Sequence, residues 1–305
     1  MRRNNNRKWN NSRQRNDSRK RNNSRNRKEA GWAYAFLLPS LLGTALFVVL
    51  PYAELIWRSF CSSIGREFVG LRNYIQVLNN TTFRLAVYNT CRFLIVCISL
   101  LLLLSLFTAV MISGLKERGN TYKTTLLLPM AVPMASIVLL WRVIFHSQGL
   151  LNQVTAILGA EPVDWINGST AFGVLVFTYI WKNLGYDMIL WLAGLSSISD
   201  QQYEAARVDG AGAFSCFWYI TMPGLKKTMV LTAALSLFNS FKVFREAYLL
   251  AGDYPNESIY MLQHLFNNWF LSLDIQKMSA ASVLLLLAIA VPVLIYNRMQ
   301  GRNID

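Results

Sequence analysis

Charge is scarce in this chain once its first 28 residues are set aside. Charged side chains make up 15% of the 305 residues and hydrophobic ones 53%, with a mean hydropathy of +0.29. That balance excludes an ordinary soluble globular domain. Acid is scarcer still at the start, where residues 1–28 hold 12 of the 30 Lys and Arg against one acid, Asp17. The remainder carries 18 basic and 15 acidic residues, so the formal charge of +14 describes a tail and not a nucleic-acid-binding surface on a folded body. Residues 1–30 are also almost without apolar side chains, so they bury too little to offset the entropy of ordering and read as a disordered basic tail. Attraction to anionic lipid, at about 1 kcal/mol per basic residue near the surface, is one reading of that tail. A positive flank that only sets topology is the other. An RNA-binding reading lacks interleaved aromatics beyond Trp9.

Other absences narrow the chemistry. The four cysteines, Cys61, Cys91, Cys97 and Cys216, have no metal or redox spacing, and neither do the two histidines, His146 and His264. There is no G-x-x-x-x-G-K-[ST] phosphate loop, no G-x-S-x-G elbow and no H-E-x-x-H. The chain therefore reads as a non-enzyme without a cofactor of its own. No small-residue cleavage site follows the apolar run from Gly31 to Trp57, which favours a retained span over a signal peptide.

Long apolar runs are what is present. Six windows are long enough to cross about 30 Å of hydrocarbon, near 31–58, 86–114, 124–146, 171–195, 228–250 and 279–297. Lys and Arg fall unevenly between them. With the N-terminus cytoplasmic, the inner side holds the tail, Lys116, Arg118, Lys123, Arg207, Lys226, Lys227, Arg298 and Arg302. The outer side holds only Arg58, Arg66, Arg72, Arg84 and Lys277, which predicts both termini inside. Trp32, Tyr34, Trp57, Trp165, Trp269 and Tyr296 sit near span ends, and Pro39, Pro51, Pro129, Pro133 and Pro292 are expected to bend helices.

The loop 196–228 is polar and helix-forming between two membrane-length segments. Ser199 and Gln202 have capping-box spacing, Tyr203 to Val208 are helix formers, and Gly210 and Gly212 stand where a helix end wants a left-handed residue. Phe214, Phe217 and Trp218 mark a second short helix expected to stop before Pro223. Such a hairpin presents Ala205 and Ala206 as a close-approach surface flanked by Glu204 and Asp209, suited to a groove on a soluble partner. An interfacial amphipathic helix that caps the bundle has the same signature.

Glu204-Ala205-Ala206, Asp209-Gly210-Ala211, and then Ile220 and Pro223 resemble the EAA motif of binding-protein-dependent ABC importer permeases, with Met222 where leucine is common. Asn89-Thr90, the stretch from Trp181 to Ser199, Asn239 to Phe244 and Met278 to Ser282 are similar to carbohydrate-uptake permeases of the maltose and multiple-sugar type. The resemblance covers about residues 84–298. It implies an all-α integral membrane protein with six transmembrane helices, the type I importer fold, and cytoplasmic coupling helices. Residues 31–83 would form a first transmembrane helix and extracytoplasmic loop, 84–298 the core with its coupling loop, and 299–305 a cytoplasmic end. The implied partners are a second homologous permease, two cytoplasmic ATPase subunits that hold ATP and Mg, an extracytoplasmic solute-binding protein and a carbohydrate, together with membrane lipid and no nucleic acid. Glu204, Ala205, Ala206, Asp209, Gly210, Ala211, Gly212, Ile220 and Pro223 would be the ATPase-coupling residues.

Ionisable residues in the spans need interior positions, which singles out Arg142, Lys182, Asp187, Lys242, Arg245 and Glu246. Lys182 with Asp187, and Lys242 with Glu246, have spacings that allow pairing. One reading has Trp181, Lys182, Asn183, Tyr186, Asn239 and Lys242 line a substrate pathway, with rings stacking on sugars and polar groups bonding hydroxyls. The other has them pair among themselves or with a partner permease. An ion-coupled secondary transporter would be expected to show internal repeats and acids at midplane depth. Glycerol-phosphate and oligosaccharide permeases share these motifs, which leaves the solute open.

Overall fold

The structure, a computed structural model, describes residues 36–63, 67–115 and 119–301, without the side chains of 291–297 and 299–301. The basic tail, Trp32, Tyr34, Arg66, Lys116, Arg118, Arg302 and the side chains of Pro292 and Tyr296 lie outside that description. The described residues are helical apart from their connections and one isolated bridge between Cys61 and Phe68. They divide into two compact units, one of the described residues up to 74 together with those from 275 on, the other of those between 75 and 274.

In the first unit, helix α1 (Phe36–Ser59) packs its second half along the C-terminal helix α13 (Ile275–Gly301). A π turn over Ala45–Val49 absorbs the donor that Pro51 removes without stopping α1. Its end is tied down by polar contacts. The Asn73 amide donates to the carbonyls of Ser59 and Cys61 at 2.9 and 2.8 Å, and the hydroxyls of Ser59 and Tyr74 meet at 2.6 Å. Large apolar side chains along α1, among them Phe36, Leu41, Phe47 and Trp57, are exposed. A surface of that extent faces lipid or another protein.

The second unit is organised around α7 (Ala171–Leu195), which buries most of its side chains against α3 (Thr81–Ser113) and α4 (Gly119–Ala131). One apolar cluster joins Phe93, Cys97 and Leu101 of α3 to Leu175 and Tyr179 of α7 and to Val243, Ala247 and Met261. A second joins Ala109 and Ile112 to Met188, Trp191 and Leu225. Trp191 also donates to the Ser105 hydroxyl at 3.0 Å. Gly185 allows the α4–α7 crossing, because a Cβ there would run into the carbonyl of Leu126.

Helices long and apolar enough to cross a membrane are α1 and α3. The expected single span at 124–146 is instead two helices, α4 and α5 (Met134–Ile144), bent by 92° at the break. Proline chemistry explains it. Pro129 is carried inside α4, whereas Pro133 stands in extended backbone (φ −56°, ψ 137°) as the residue before α5, and steric clash with its ring disfavours helical backbone at Val132. The window 228–250 is broken as well, into α10 (Lys226–Ser240), a 3-10 turn at Phe241–Val243 and α11 (Phe244–Ala251). The window 171–195 coincides with α7.

Candidate coupling surface and transport pathway

The loop after α7 folds as a helix hairpin. Its first arm is α8 (Asp200–Val208), and its second is a continuous helical run, α9, over 213–224 with a π turn at Phe217–Thr221. Gly210 makes the turn at φ +83°. Its N–H donates to the Arg207 carbonyl at 3.0 Å, and the Ala211 N–H donates to the Ala206 carbonyl at 2.9 Å. That pair of bonds is the Schellman closure, which needs a residue free to take the left-handed region. Gly212 does not share that role: at φ −75°, ψ 169° it is the residue before α9 in extended backbone. Ser199 sits at the start of α8, yet its side chain makes no capping bond, so the capping-box spacing goes unused. Nor does α9 stop before Pro223. The π turn, closed by the Met222 N–H on the Phe217 carbonyl, precedes the proline and the helix continues to Gly224.

Contacts that the sequence does not advertise hold the two arms. Tyr203 and Thr221 meet through their hydroxyls at 2.9 Å, and Gly224 leaves room for Ile198 where a Cβ would collide with it. The outer face stays open. Glu204, Ala205, Asp209 and Gly210 are exposed and Ala206 and Ala211 half-buried, while Val208 is 88% and Phe214 76% exposed. Ile220 is half-buried and Pro223 exposed on the second arm. Behind α8 lies a cavity of about 530 Å³ lined by Lys123, Ser196, Asp200, Tyr203, Glu204 and Arg207, among others. The hairpin thus exposes small and acidic residues, Glu204, Ala205 and Asp209, beside the apolar Val208 and Phe214.

Two of the polar contacts of the apolar segments, those of Lys182 and Asp187, are made between helices, and that of Lys242 is local. Lys182 of α7 reaches Glu246 of α11 at 3.1 Å and rests on the Met134 sulfur at 2.9 Å, beside the Pro133 break. Asp187 accepts from the Ser236 hydroxyl at 2.5 Å. Lys242 donates to Asn239 at 3.1 Å. Neither spacing-based pair forms: Lys182 and Glu246 bond each other across helices, Asp187 takes the Ser236 hydroxyl, and Lys242 turns to Asn239 three residues back. Glu246 Oε2 and Tyr179 Oη are buried without a partner among the described residues.

The six predicted pathway residues fall into two groups. On α7, Trp181 packs edge-on against Trp141 at 5.2 Å, Lys182 is paired with Glu246, Asn183 donates to the Tyr179 carbonyl at 2.9 Å, and Tyr186 is half-buried. On the broken helix, Asn239 and Lys242 bond each other. No hydrogen bond, ion pair or ring contact links the two groups among the described residues.

Beyond the break of α10 and α11, α12 (Leu262–Leu271) is held at its start by residues of α3. Asn89 donates to the carbonyls of Glu257 and Tyr260 at 2.6 and 2.9 Å, and the Thr90 hydroxyl accepts the Leu262 N–H at 3.1 Å. Gln263 donates to the Phe241 carbonyl at 2.6 Å, satisfying backbone at the 3-10 turn. His264 is fully buried between Phe244 and Tyr260, and burial pushes its pKa down to about 4. Its Nδ1 accepts the Met261 N–H at 3.2 Å. In the connection before α7, the Asn167 N–H donates to Asp164 and lowers its pKa.

Apolar helices of crossing length and a buried charge pair between helices mark an integral membrane protein. Residues 101–303 match the family described as binding-protein-dependent transport system inner membrane component, and the chain belongs to that family. It is 33% identical to the trehalose/maltose transport system permease protein MalF of Thermococcus litoralis over 84% of this chain and 89% of that one. It is 29% identical to the sn-glycerol-3-phosphate transport system permease protein UgpA of Yersinia pestis, over 89% of this chain and 94% of that one. Among solved structures, a chain of the bacterial alginate ABC transporter in complex with alginate pentasaccharide-bound periplasmic protein has the same fold, with a TM-score of 0.76 at 20% identity over 91% of this chain and 96% of that one. The protein is a permease subunit of an ATP-driven, binding-protein-dependent importer.

Proposed function

We propose that this permease imports a sugar or oligosaccharide, forms half of the translocation pathway and couples it to a cytoplasmic ATPase through the α8–α9 hairpin. The observation that carries the coupling is the Schellman-closed hairpin, which leaves Glu204, Ala205 and Asp209 exposed while the Tyr203–Thr221 contact ties its two arms together. In this reading residues 31–83 are the first transmembrane helix and outer loop, and 84–298 are the core, giving six spans with the broken α4–α5 and α10–α11 pairs each counted once. Both termini lie in the cytoplasm. A second permease chain completes the pathway, two ATPase subunits bind ATP and Mg below, and a solute-binding protein delivers from outside. Glu204, Ala205, Ala206, Asp209, Gly210, Ala211, Gly212, Ile220 and Pro223 meet one ATPase, so nucleotide-driven closure tilts the bundle between its two access states.

The sugar assignment follows the substrate in the name of the MalF relative. The UgpA relative supports glycerol-phosphate as the second solute class. On the pathway side, Trp181, Lys182, Asn183, Tyr186, Asn239 and Lys242 line the route, with Trp181 and Asn239 nearest in chemistry to a sugar ring and its hydroxyls.

The coupling is tested with Glu204→Lys and Gly210→Pro. Both variants should reach the membrane and lose the ATPase on purification, and normal co-purification with either would reject the docking. Uptake by Trp181→Ala and Asn239→Ala variants with ATPase coupling intact tests the pathway. Unchanged apparent affinity for a panel of sugars and for glycerol-phosphate would remove both residues from it.

A further inference from the structure

Arg92 stands immediately before an uncharged run. The 21 residues 93–113 of α3 carry no charge and, at 1.5 Å per residue, extend about 32 Å, which is the hydrocarbon thickness by itself. Arg92 therefore lies at a hydrocarbon boundary, on the side where α3 begins. Its guanidinium lies 3.9 Å over the ring of Phe172, and it forms no hydrogen bond or ion pair among the described residues. Arg92 is exposed there, and its five N–H donors at a lipid boundary suit an anion.

Beside Arg92 runs an open groove of about 630 Å³, walled chiefly by Trp141, Phe145, Trp165 and Phe177, with Gly173 in its lining. A sugar is poorly served there. The Trp141 ring is stacked on Phe145 at 5.4 Å and met edge-on by Phe177 at 5.5 Å and Trp181 at 5.2 Å, so its faces are already occupied. The Thr170 hydroxyl at the rim already donates to the carbonyls of Asp164 and Trp165. What suits such a groove is a flexible apolar chain that ends in a negative charge.

We propose that this groove is a phospholipid site, in which Arg92 binds the phosphate at the headgroup level and one acyl chain lies along the Trp141–Phe177 wall. The guanidinium is satisfied by a phosphate in the fork geometry that arginine favours, and the aromatic wall is removed from both water and loose lipid. Gly173 makes the groove testable, since a Cβ added there meets nothing within 4 Å. A larger side chain at that position starts in open space and extends into the groove.

The test uses the full chain, purified in detergent with its associated subunits, and native mass spectrometry after incubation with phosphatidylglycerol. The wild type should retain a bound phospholipid, and Arg92→Gln and Gly173→Leu should each lose it while keeping the wild-type melting temperature. Arg92→Lys should retain it partly. Equal lipid retention by wild type, Arg92→Gln and Gly173→Leu would overturn the proposal. So would loss of a second permease subunit from Arg92→Gln with lipid retention unchanged, a result that would assign the groove to a protein carboxylate.

Discussion

Removing one member of the Lys182–Glu246 pair should damage the fold more than removing both. The pair joins α7 to α11 at 3.1 Å with side-chain exposures of 17% and 8%, so neither charge has ready access to solvent once its partner is gone. Glu246 Oε2 already lacks a partner, and the carboxylate would then have no cation within bonding distance. Breaking a buried pair by deleting one side costs about 3–5 kcal/mol, whereas replacing both with apolar groups of similar volume is often neutral. Lys182→Met and Glu246→Leu should therefore each lower stability by about 3–5 kcal/mol, which at roughly 2–4 °C per kcal/mol is a fall of about 6–20 °C. The double variant should stand within about 2 kcal/mol of the wild type. Thermal unfolding of the four proteins in one detergent, followed by near-UV circular dichroism, completes the cycle. Additive losses, or single variants within about 0.5 kcal/mol of the wild type, would refute a pair that holds the two helices together.

Three further outcomes follow from the packing and the buried polar groups. Gly185→Val drives a side chain into the Leu126 carbonyl, so it should destabilise by more than the roughly 1–3 kcal/mol of ordinary overpacking, whereas Gly173→Ala on the same helix should be near neutral by the same thermal assay. Asn89→Ala leaves the carbonyls of Glu257 and Tyr260 without their donor and should cost about 2–3 kcal/mol, with Asn89→Asp no better because a carboxylate cannot donate to them. His264 has its pKa lowered from 6.5 to about 4, so its neutral form contributes stability that is fully present above pH 6.5 and is lost as pH falls toward 4. At about 1.4 kcal/mol per unit this is about 3 kcal/mol, and His264→Phe should flatten the melting temperature between pH 6.5 and 4 relative to the wild type. An unchanged slope would show that His264 is not the titrating group.

How much of this was legible in the sequence depended on whether the cause was local. The window 171–195 became a helix with those bounds because it is predominantly apolar and followed by polar residues at Ser196 and Ser197. Gly210 was readable as a left-handed turn, since it follows a run of helix formers, whereas Gly212, which the sequence marks equally, is extended. The signals that misled were also local. Ser199 has the right spacing to cap α8, but its hydroxyl makes no bond to the helix start, and Pro223 is accommodated by a π turn that no short pattern announces. Pro129 and Pro133 are four residues apart and equivalent in the sequence, and only the surrounding packing decides that the first is carried in a helix while the second breaks one. The partners of Lys182 and Asp187 lie 64 and 49 residues away, beyond any helical spacing.

Val208 is the most direct reporter on the hairpin, being 88% exposed at the end of α8. In a Cys91→Ser background, which removes the exposed native thiol, a Val208→Cys chain should cross-link through a short bismaleimide to a cytoplasmic ATPase subunit, and the adduct should vanish when Gly210→Pro is added. Modification of Val208→Cys by an impermeant maleimide from outside intact cells, with no adduct to any ATPase, would contradict the account.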